Sequence, residues 1–451
     1  MSKKIAVLTS TWVRESSKSV IAGIIERAGD DDVELHIFNA YDSGREIEYF
    51  RKGREIYFLP DPDQYDGMII SLATVASSKY VNEIATRFHD AKKPVVGLDT
   101  HAENAIFCGL DNYRSMYRLV EHMITIHDCR TINYLGGPEE NAENAERYRA
   151  FCDCLAAHNI NVEKRRVLFK RFWKADGNAA YNEWKKTGAN MADVVICAND
   201  YMALGYVEEA EMDGVSIPDY MKVTGFDNIE EAQQYSPSIT SVNRNWKMLG
   251  YESMDALYEA MEGNTEFDTR YVEGLVTFNE SCGCDTSRDI RSEYNRLVER
   301  FKNELQVDLR RSYARQELSK CRNEDEYGQA LAMCKEMLGY EEMAVYLNTT
   351  FFNGSYDMDL IGYDEEMTVY TGKEKYKVDH RQQLYPEKWK DKEKVFLFSS
   401  LRNSRQTYGY VVMPYRSEYL DQFSHRNFVE SLSLSLEKIN LSDALKMKDK
   451  S

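Results

Sequence analysis

From its start to about position 280, the chain alternates short β-rich runs with longer amphipathic segments. This alternation is typical of βαβ units that build a parallel sheet with helices on its faces. Two runs, residues 66–71 and 193–199, are almost wholly apolar and end in small polar residues, as buried central strands do. We therefore predict an α/β fold with strands at Lys4–Leu8, Val33–Phe38, Gly67–Ser71, Pro94–Leu98, Ala105–Gly109, Thr131–Leu135, Val167–Phe169, Val194–Ala198 and Lys222–Gly225.

The pattern changes near Thr286, where apolar side chains begin to recur at three- and four-residue steps with charges between them. This spacing predicts one apolar stripe along a long helix. The stripe either packs on its own chain or forms a seam with the same helix of a second copy, and the sequence leaves both open. It consists of Ile290, Tyr294, Leu297, Phe301, Leu305, Leu309 and Tyr313.

Beyond this helix the sequence predicts a small, mainly antiparallel sheet with helices before and after it. A last apolar-striped helix, from Phe428 to Leu445, ends without a Gly or Pro stop signal, so we expect it to lead into further structure. The predicted strands of this sheet are Met343–Leu347, Asp359–Tyr363, Thr368–Tyr370, Lys394–Phe398 and Thr407–Pro414.

Charge and composition exclude several classes of protein. The 451 residues include 57 Lys and Arg against 75 Asp and Glu, a net charge of -18, and no long basic run, which argues against direct nucleic-acid binding. No apolar stretch reaches the roughly 20 residues that cross a bilayer, and the first residues lack a secretory signal. Nine scattered cysteines indicate reduced thiols. We expect a cytoplasmic protein without a membrane partner.

Catalytic and metal-binding motifs are weak. The sequence has no P-loop, no Gly-x-Ser-x-Gly elbow and no His-Glu-x-x-His helix, and Gly136-Gly-Pro138 lacks the remainder of a dinucleotide fingerprint. Cys282-Gly-Cys284 could supply half of a metal site, but no second close pair with zinc-finger spacing accompanies it. We therefore expect no catalytic activity, no cofactor and no metal.

Five stretches are more specific than periodicity. They are Gly109-Leu-Asp111-Asn112, Leu135-Gly-Gly-Pro138, Arg147-Tyr-Arg-Ala-Phe151, Cys197-Ala-Asn199-Asp200, and Val223-Thr-Gly225-Phe226-Asp227-Asn228 followed by Pro237-Ser-Ile-Thr240. In order and spacing they resemble the sensor domain of the lactose-repressor/galactose-repressor (LacI/GalR) family, over roughly residues 4–280.

The resemblance implies a periplasmic-binding-protein-like fold of type I, in which two α/β lobes joined by three crossings close on a small molecule. Sugars, nucleosides and purines are the usual ligands of the family. Residues 1–284 would form this sensor domain, with lobe one at about 1–110 and 245–280 and lobe two at about 111–244.

Three matching positions suit a polyol or a similar polar ligand. Arg147 offers a planar set of donors, Asp227 accepts hydrogen bonds from hydroxyls, and Asn199 can do both. Each also has a structural alternative. Asn199 could cap a helix, Asp227 could cap a turn, and Arg147 could pair only with Glu143 or Glu146 one helical turn away.

The resemblance adds further positions to the site. Phe172 matches a position where family members stack a ring on the ligand, and Asp99 matches a ligand-contacting aspartate. Arg244 and Trp246 match the returning strand that contributes to the floor of the ligand-binding cleft. The aromatic residues are equally consistent with core packing. The predicted ligand-binding set is Ser10, Trp12, Asp99, Arg147, Phe172, Asn199, Asp227, Arg244 and Trp246.

The sequence departs from the repressor pattern before its first strand. Repressors of the family carry a helix-turn-helix domain there, whereas four residues precede Ile5. Residues 280–284 followed by a long helix resemble the junction of clostridial sensors whose next module is GAF-like and whose output is a GGDEF diguanylate cyclase or an AraC-type domain. We accordingly predict a connector helix at 285–325, a GAF-like α+β domain at 326–427 and a signalling helix at 428–451. No Gly-Gly-Asp-Glu-Phe motif occurs in the chain.

Together these expectations describe a homodimeric sensor that relays ligand-induced lobe closure to an output. Two alternatives stay open: a plain cytoplasmic ligand-binding protein, and a transcription regulator whose DNA-binding part lies beyond Ser451. The long C-terminal region after the sensor counts against the first alternative, because a simple binding protein would not need it.

Overall fold

The structure is a computed structural model, and it describes residues 2–10, 14–29, 31–41, 52–72, 78–264, 268–284, 290–351, 362–372, 374–404, 406–417 and 423–448. The chain forms two compact units. Unit 1 comprises Met1–Gly109, Trp246–Arg270 and Glu293–Ser451, and unit 2 comprises Leu110–Asn245 and Tyr271–Ser292.

The elements are numbered in chain order. The strands are β1 (Lys3–Thr9), β2 (Val33–Asn39), β3 (Gly67–Ser71), β4 (Val95–Leu98), β5 (Ile106–Asp111), β6 (Ile132–Gly136), β7 (Val167–Phe169), β8 (Val194–Cys197), β9 (Lys222–Thr224), β10 (Ser241–Asn243), β11 (Thr269–Glu273), β12 (Leu275–Thr277), β13 (Ala344–Asn348), β14 (Glu366–Tyr370), β15 (Lys375–Asp379), β16 (Val395–Arg402) and β17 (Thr407–Pro414). The α-helices are α1 (Arg14–Ala28), α2 (Ser78–Asp90), α3 (Asn112–Thr125), α4 (Ala142–Ala157), α5 (Lys174–Thr187), α6 (Asp200–Met212), α7 (Glu230–Gln234), α8 (Trp246–Met261), α9 (Ile290–Lys320), α10 (Glu324–Leu338) and α11 (Phe423–Lys448).

Unit 1 is built on one continuous sheet with the strand order β11-β5-β4-β3-β1-β2-β16-β17-β13-β14-β15. The segment from β5 to β2 is parallel, as the βαβ pattern predicts. Helices α1 and α8 pack closely in this unit because Gly23 and Gly250 let the two backbones approach, and a Cβ at either position would collide with the other helix.

The C-terminal strands join this sheet instead of forming one of their own. β16 pairs in parallel with β2, from Val395 opposite Leu35 to Ser399 opposite Asn39, and β17, β13, β14 and β15 continue antiparallel. The predicted division, with a separate domain at 326–427, therefore differs from the structure. The physical reason is that β2 is buried along its whole length, and β16 occupies the edge that lobe one alone would leave open.

Side chains stabilise this junction. The rings of Phe38 and Phe398 stack with centroids 4.8 Å apart, and the Tyr385 hydroxyl donates to Glu34 at 2.9 Å. Four of the five C-terminal strands predicted from the sequence are present, while Asp359–Tyr363 falls largely outside the described residues.

The predicted connector is one helix, α9, of 31 residues. Its apolar stripe lies on the surface of the chain, with Leu297 49% and Phe301 66% exposed, as are Tyr294, Leu305, Leu309 and Tyr313. The side chain of Ile290 lies outside the described residues. Among the helices that the structure describes, none is long and apolar enough to cross a membrane.

Unit 2 contains a four-stranded parallel sheet with the order β7-β6-β8-β9 and a short antiparallel pair, β10 with β12. Every residue of β8 is buried, as in a central strand of a parallel sheet. The polar residues Asn199 and Asp200 follow its carboxyl end. Gly177 on α5 and Gly205 on α6 allow these two helices to pack closely over the sheet. The core is filled by large side chains that include Tyr134, Trp184 and Tyr206.

We predict that Phe398→Ala destabilises unit 1 by about 3–5 kcal/mol, because it empties a stacked position in the shared core. Amide hydrogen exchange measured by mass spectrometry should then accelerate in β2, although β2 lies near the other end of the sequence. Phe301→Ala makes the same change on an exposed surface and should leave exchange in β2 unaltered. Unchanged β2 exchange in Phe398→Ala would contradict a continuous sheet.

Candidate ligand-binding site

Arg147, on α4, lies at the centre of a polar network within unit 2 and is only 2% exposed. Its Nε donates to Asn112 Oδ1 at 2.9 Å, and its Nη1 donates to the carbonyl of Ala198 at 2.7 Å. The guanidinium plane stacks over the Phe226 ring, 3.8 Å from the centroid. Arg147 therefore joins α3, α4 and the carboxyl ends of β8 and β9.

Glu143 links this arginine to a second one. Its carboxylate accepts from Arg147 Nη2 at 2.8 Å and from both terminal nitrogens of Arg244 at 3.1 Å. Burial opposes ionisation, but the charges of Arg244 and Arg147 outweigh it and lower the pKa of Glu143 to about 2. The carboxylate is thus ionised at neutral pH, and it remains partly accessible.

Asp227 completes the network on the other side of Arg244, with Asp227 Oδ1 3.5 Å from Arg244 Nη1. It lies three residues after the end of β9, has a left-handed backbone, φ 101°, and donates its amide to the carbonyl of Val242. Burial raises its pKa above the ordinary value, although Arg147 and Arg244 act in the opposite direction. The network alternates cationic donors and carboxylate acceptors around part-exposed oxygens, which suits a ligand with several hydroxyl groups.

Asn199 is the N-cap of α6, where its Oδ1 accepts from the amide of Met202 at 3.0 Å. Its Nδ2 donates to the carbonyl of Phe172 at 3.0 Å, so the same side chain also holds the loop after β7. Phe172 has φ 69°, and its ring lies against Gly137, where any Cβ would collide with it. The structural role considered for Asn199 is therefore present, and its amide also positions the predicted aromatic residue.

Asp200 hydrogen-bonds to the chain segments that carry the network. Its carboxylate accepts from the hydroxyl of Ser241 at 2.6 Å and from the amide of Ile229 at 2.7 Å, which joins α6 to β10 and α7. Burial, together with the nearby charge of Asp227, raises its pKa well above the ordinary value. This residue fixes the backbone on which Asp227 and Arg244 are mounted.

The remaining predicted positions belong to unit 1. Ser10 follows β1 and Asp99 follows β4, and since β3 lies between these parallel strands, both residues are at one edge of the sheet, about 10 Å apart by strand spacing. Asp99 has a left-handed backbone, φ 45°. Trp246 is half-buried at the first position of α8, and Trp12 lies outside the described residues.

The structure thus joins three predicted residues, Arg147, Arg244 and Asp227, in one network through Glu143, pairs Asn199 with Phe172 in the same unit, and adds residues that the sequence reasoning did not place in the site. Glu143 had been considered only as a surface partner of Arg147, and Asn112 and Phe226 only as parts of motifs. The four-residue spacing of Glu143 and Arg147 was the available signal, but the burial of Arg147 and the approach of Arg244 to Glu143 depend on tertiary structure.

Comparison with known proteins identifies the type of domain. Residues 120–282 match the family model described as a periplasmic binding protein-like domain. This part of the chain is therefore similar to a periplasmic binding protein-like domain.

Among curated proteins, the chain is 24% identical over 206 residues to the HTH-type transcriptional repressor PurR of Actinobacillus pleuropneumoniae serotype 5b (strain L20), covering 44% of this chain and 60% of that protein. It is 27% identical over 207 residues to the HTH-type transcriptional regulator MalR of Clostridium butyricum, covering 43% and 60%. The chain therefore spans about 60% of the length of these relatives.

A solved structure extends the match to the fold. A regulatory protein of the LacI family from Chloroflexus aggregans superposes with a TM-score of 0.51 at 18% identity, covering 63% of this chain and 99% of that one. The predicted α/β fold of the periplasmic-binding-protein-like kind is confirmed by this likeness. The GAF-like character of the C-terminal region stays a prediction.

We predict that Asn199→Ala lowers the free energy of unfolding by about 1 kcal/mol through loss of the helix cap. Because it also frees the Phe172 carbonyl, amide exchange at Arg171 and Trp173 should accelerate. Asn323→Ala removes an equivalent cap, that of α10, and serves as the matched control. It should cost about 1 kcal/mol as well. Equal exchange at Arg171 and Trp173 in the two variants would contradict the positioning role of Asn199.

Proposed function

We propose that unit 2 binds a small, hydroxyl-rich molecule, such as a sugar or a nucleoside, through Asp227, Glu143 and Arg244. The observation that carries the proposal is the buried network in which Glu143 bridges Arg147 and Arg244 while its carboxylate and that of Asp227 stay partly accessible. Asn199 and Phe172 would border the ligand. Ser10, Trp12, Asp99 and Trp246 remain predicted contacts from unit 1.

The chain would act as a ligand-responsive regulator. Its PurR and MalR relatives are transcriptional regulators by name, and it is similar to each over about 206 residues. A ligand can switch such a protein only by binding one conformation more tightly than another, and the coupling cannot exceed that difference in affinity. We expect no catalysis by this chain and a cytoplasmic location.

The output of the regulator would lie after the sensor domain. The connector α9 and the strands that join unit 1 would carry the signal to a partner or to a further domain, such as a diguanylate cyclase or a DNA-binding module. Coding sequence beyond Ser451 would identify the output directly.

A thermal-shift screen of monosaccharides, nucleosides and purines would identify the ligand, since a molecule at 100 times its dissociation constant adds roughly 2.7 kcal/mol to native stability. We predict that Asp227→Ala and Arg147→Ala each weaken its binding by about 1.5–3 kcal/mol. Asp227→Ala removes an acceptor, and Arg147→Ala releases Glu143. Isothermal titration calorimetry measures both effects.

Arg165→Ala provides the control for this experiment, because Arg165 is an exposed residue of the same unit whose side chain pairs locally with Glu163. Its ligand affinity should equal that of the unaltered chain. Wild-type affinity in both Asp227→Ala and Arg147→Ala would show that the ligand binds elsewhere.

We further propose that the exposed stripe of α9 pairs with the same helix of a second copy, giving a parallel homodimer. Six large apolar side chains on one 31-residue helix are a costly surface for a monomer to expose. Coiled-coil packing would bury them at three- and four-residue steps.

Light scattering tests this seam. The chain should run as a dimer at micromolar concentration, and Leu297→Asp combined with Phe301→Asp should convert it to a monomer with nearly unchanged ligand affinity. Leu434→Asp alters an exposed leucine of α11 and should leave the dimer intact. A monomeric wild-type chain would refute the seam, and a dimer lost only in Leu434→Asp would place the interface on α11.

A further inference from the structure

Two histidines and two cysteines converge at one surface of unit 2, away in sequence from the ligand network. His122 lies in the last turn of α3, and His127 follows that helix. Cys282 ends a short 3-10 helix, Glu280–Cys282, and Cys284 comes two residues later. One side-chain nitrogen or sulfur from each of the four residues lies within 4.8 Å of all the others.

Three of these atoms form a nearly equilateral triangle. His122 Nε2 is 3.1 Å from His127 Nε2, His127 Nε2 is 3.2 Å from Cys284 Sγ, and Cys284 Sγ is 3.3 Å from His122 Nε2. In a tetrahedral zinc site with Zn–N near about 2.05 Å and Zn–S near about 2.3 Å, the corresponding separations are about 3.3 Å between nitrogens and about 3.5 Å between nitrogen and sulfur. The triangle therefore has nearly the size of one face of such a site.

Hydrogen bonding alone is a poor account of this triangle. A ring nitrogen of histidine has its proton or its lone pair in a single direction, in the ring plane. It can therefore form a hydrogen bond with only one of its two neighbours in the triangle, which are about 60° apart. A cation at the centre of the group can be coordinated by all of these atoms at the same time. Two thiolates and two neutral imidazoles are also a preferred ligand set of zinc.

The surroundings hold the group in place. The Phe278 ring stacks on His122 with centroids 3.9 Å apart, and it covers one side of the imidazole. Gly283 has φ 90°, a conformation that favours glycine and lets the chain turn between the two cysteines. Ser281, between Glu280 and Cys282, is buried and donates its hydroxyl to the carbonyl of Val223 at 2.6 Å. The Cys-Gly-Cys segment is thus presented to the histidines by fixed backbone.

We propose that His122, His127, Cys282 and Cys284 bind one zinc ion. This replaces the expectation of no metal, which considered only close cysteine pairs and could not detect two histidines that lie far earlier in the sequence. The ion would fasten the last segment of unit 2 to α3 immediately before the connector begins. Binding would release the thiol protons, as zinc coordination by cysteine requires.

The test uses the full chain, kept reduced with a phosphine and stripped of metal by a chelator. Zinc titration against a chromogenic indicator should show one tight site per chain. Cobalt substituted for zinc should give the intense visible d–d bands of tetrahedral coordination and a thiolate-to-cobalt charge-transfer band. Absence of tight binding, or cobalt spectra typical of octahedral oxygen ligands, would overturn the proposal.

Variants assign the ligands. Cys284→Ser and His127→Asn should each weaken zinc binding by more than the roughly 10–100-fold that loss of an outer-shell partner costs, and Cys284→Ser should diminish the charge-transfer band. Cys152→Ser and His158→Gln change the same residue types elsewhere in unit 2 and should bind zinc like the unaltered chain. Circular dichroism establishes that each variant is folded, and His122→Asn replaces any that is not. Unchanged affinity in the folded ligand variants would refute the site.

Discussion

The parallel pairing of β2 with β16 is the constraint on which unit 1 depends, because it makes one sheet out of segments from opposite ends of the chain. At this junction His36, fully buried, contacts Glu34 and Tyr65 at 2.6 Å each. Burial raises the pKa of Glu34, but hydrogen bonds from His36 and Tyr385 and the charge of Lys4 lower it to about 2. An ionised carboxylate can only accept, so His36 donates through Nε2. Removing the C-terminal strands would leave this charge without its hydrogen bond from Tyr385 and would uncover one edge of β2, so the C-terminal strands stabilise the first lobe.

A comparable balance of charge governs unit 2. Two guanidinium groups in a buried site would repel each other and lose hydration, and Glu143 compensates both by lying between them. Arg147 uses three of its five donors on Asn112, Ala198 and Glu143, so its position is fixed before any ligand arrives. The carboxylates of Glu143 and Asp227, the acceptors nearest the surface, are therefore already in position in the free protein. Such pre-organisation reduces the ordering cost that a small polar ligand must overcome on binding.

Sequence reasoning was reliable where a signal is local. Every strand predicted ahead of the long helix is present, and Gly67–Ser71 and Val167–Phe169 match to the residue, because apolar runs and their polar ends are written in adjacent residues. The strand β10 was expected only through the family resemblance, as the strand that returns toward Arg244, and β11, β12 and β15 were missed. The pairing of β16 with β2 was missed because the local sequence pattern of a strand does not show which strand it pairs with. For the same reason Glu143 resembled a surface partner of Arg147, and the histidines near Cys284 gave no signal.

The path from the ligand network to the connector can be followed within unit 2. Arg244 directly follows β10, and β10 pairs with β12, from Ser241 opposite Thr277 to Asn243 opposite Leu275. β12 leads into Glu280, whose carboxylate accepts from the amide of Ser238 at 2.7 Å, and then into the Cys-Gly-Cys segment. A shift of Arg244 on binding of the proposed ligand would therefore act on β12, which ends five residues before Cys282. Without the metal, that movement could be absorbed by the few residues after β12. With Cys282 and Cys284 fastened to α3, those few residues would be less free to absorb the movement.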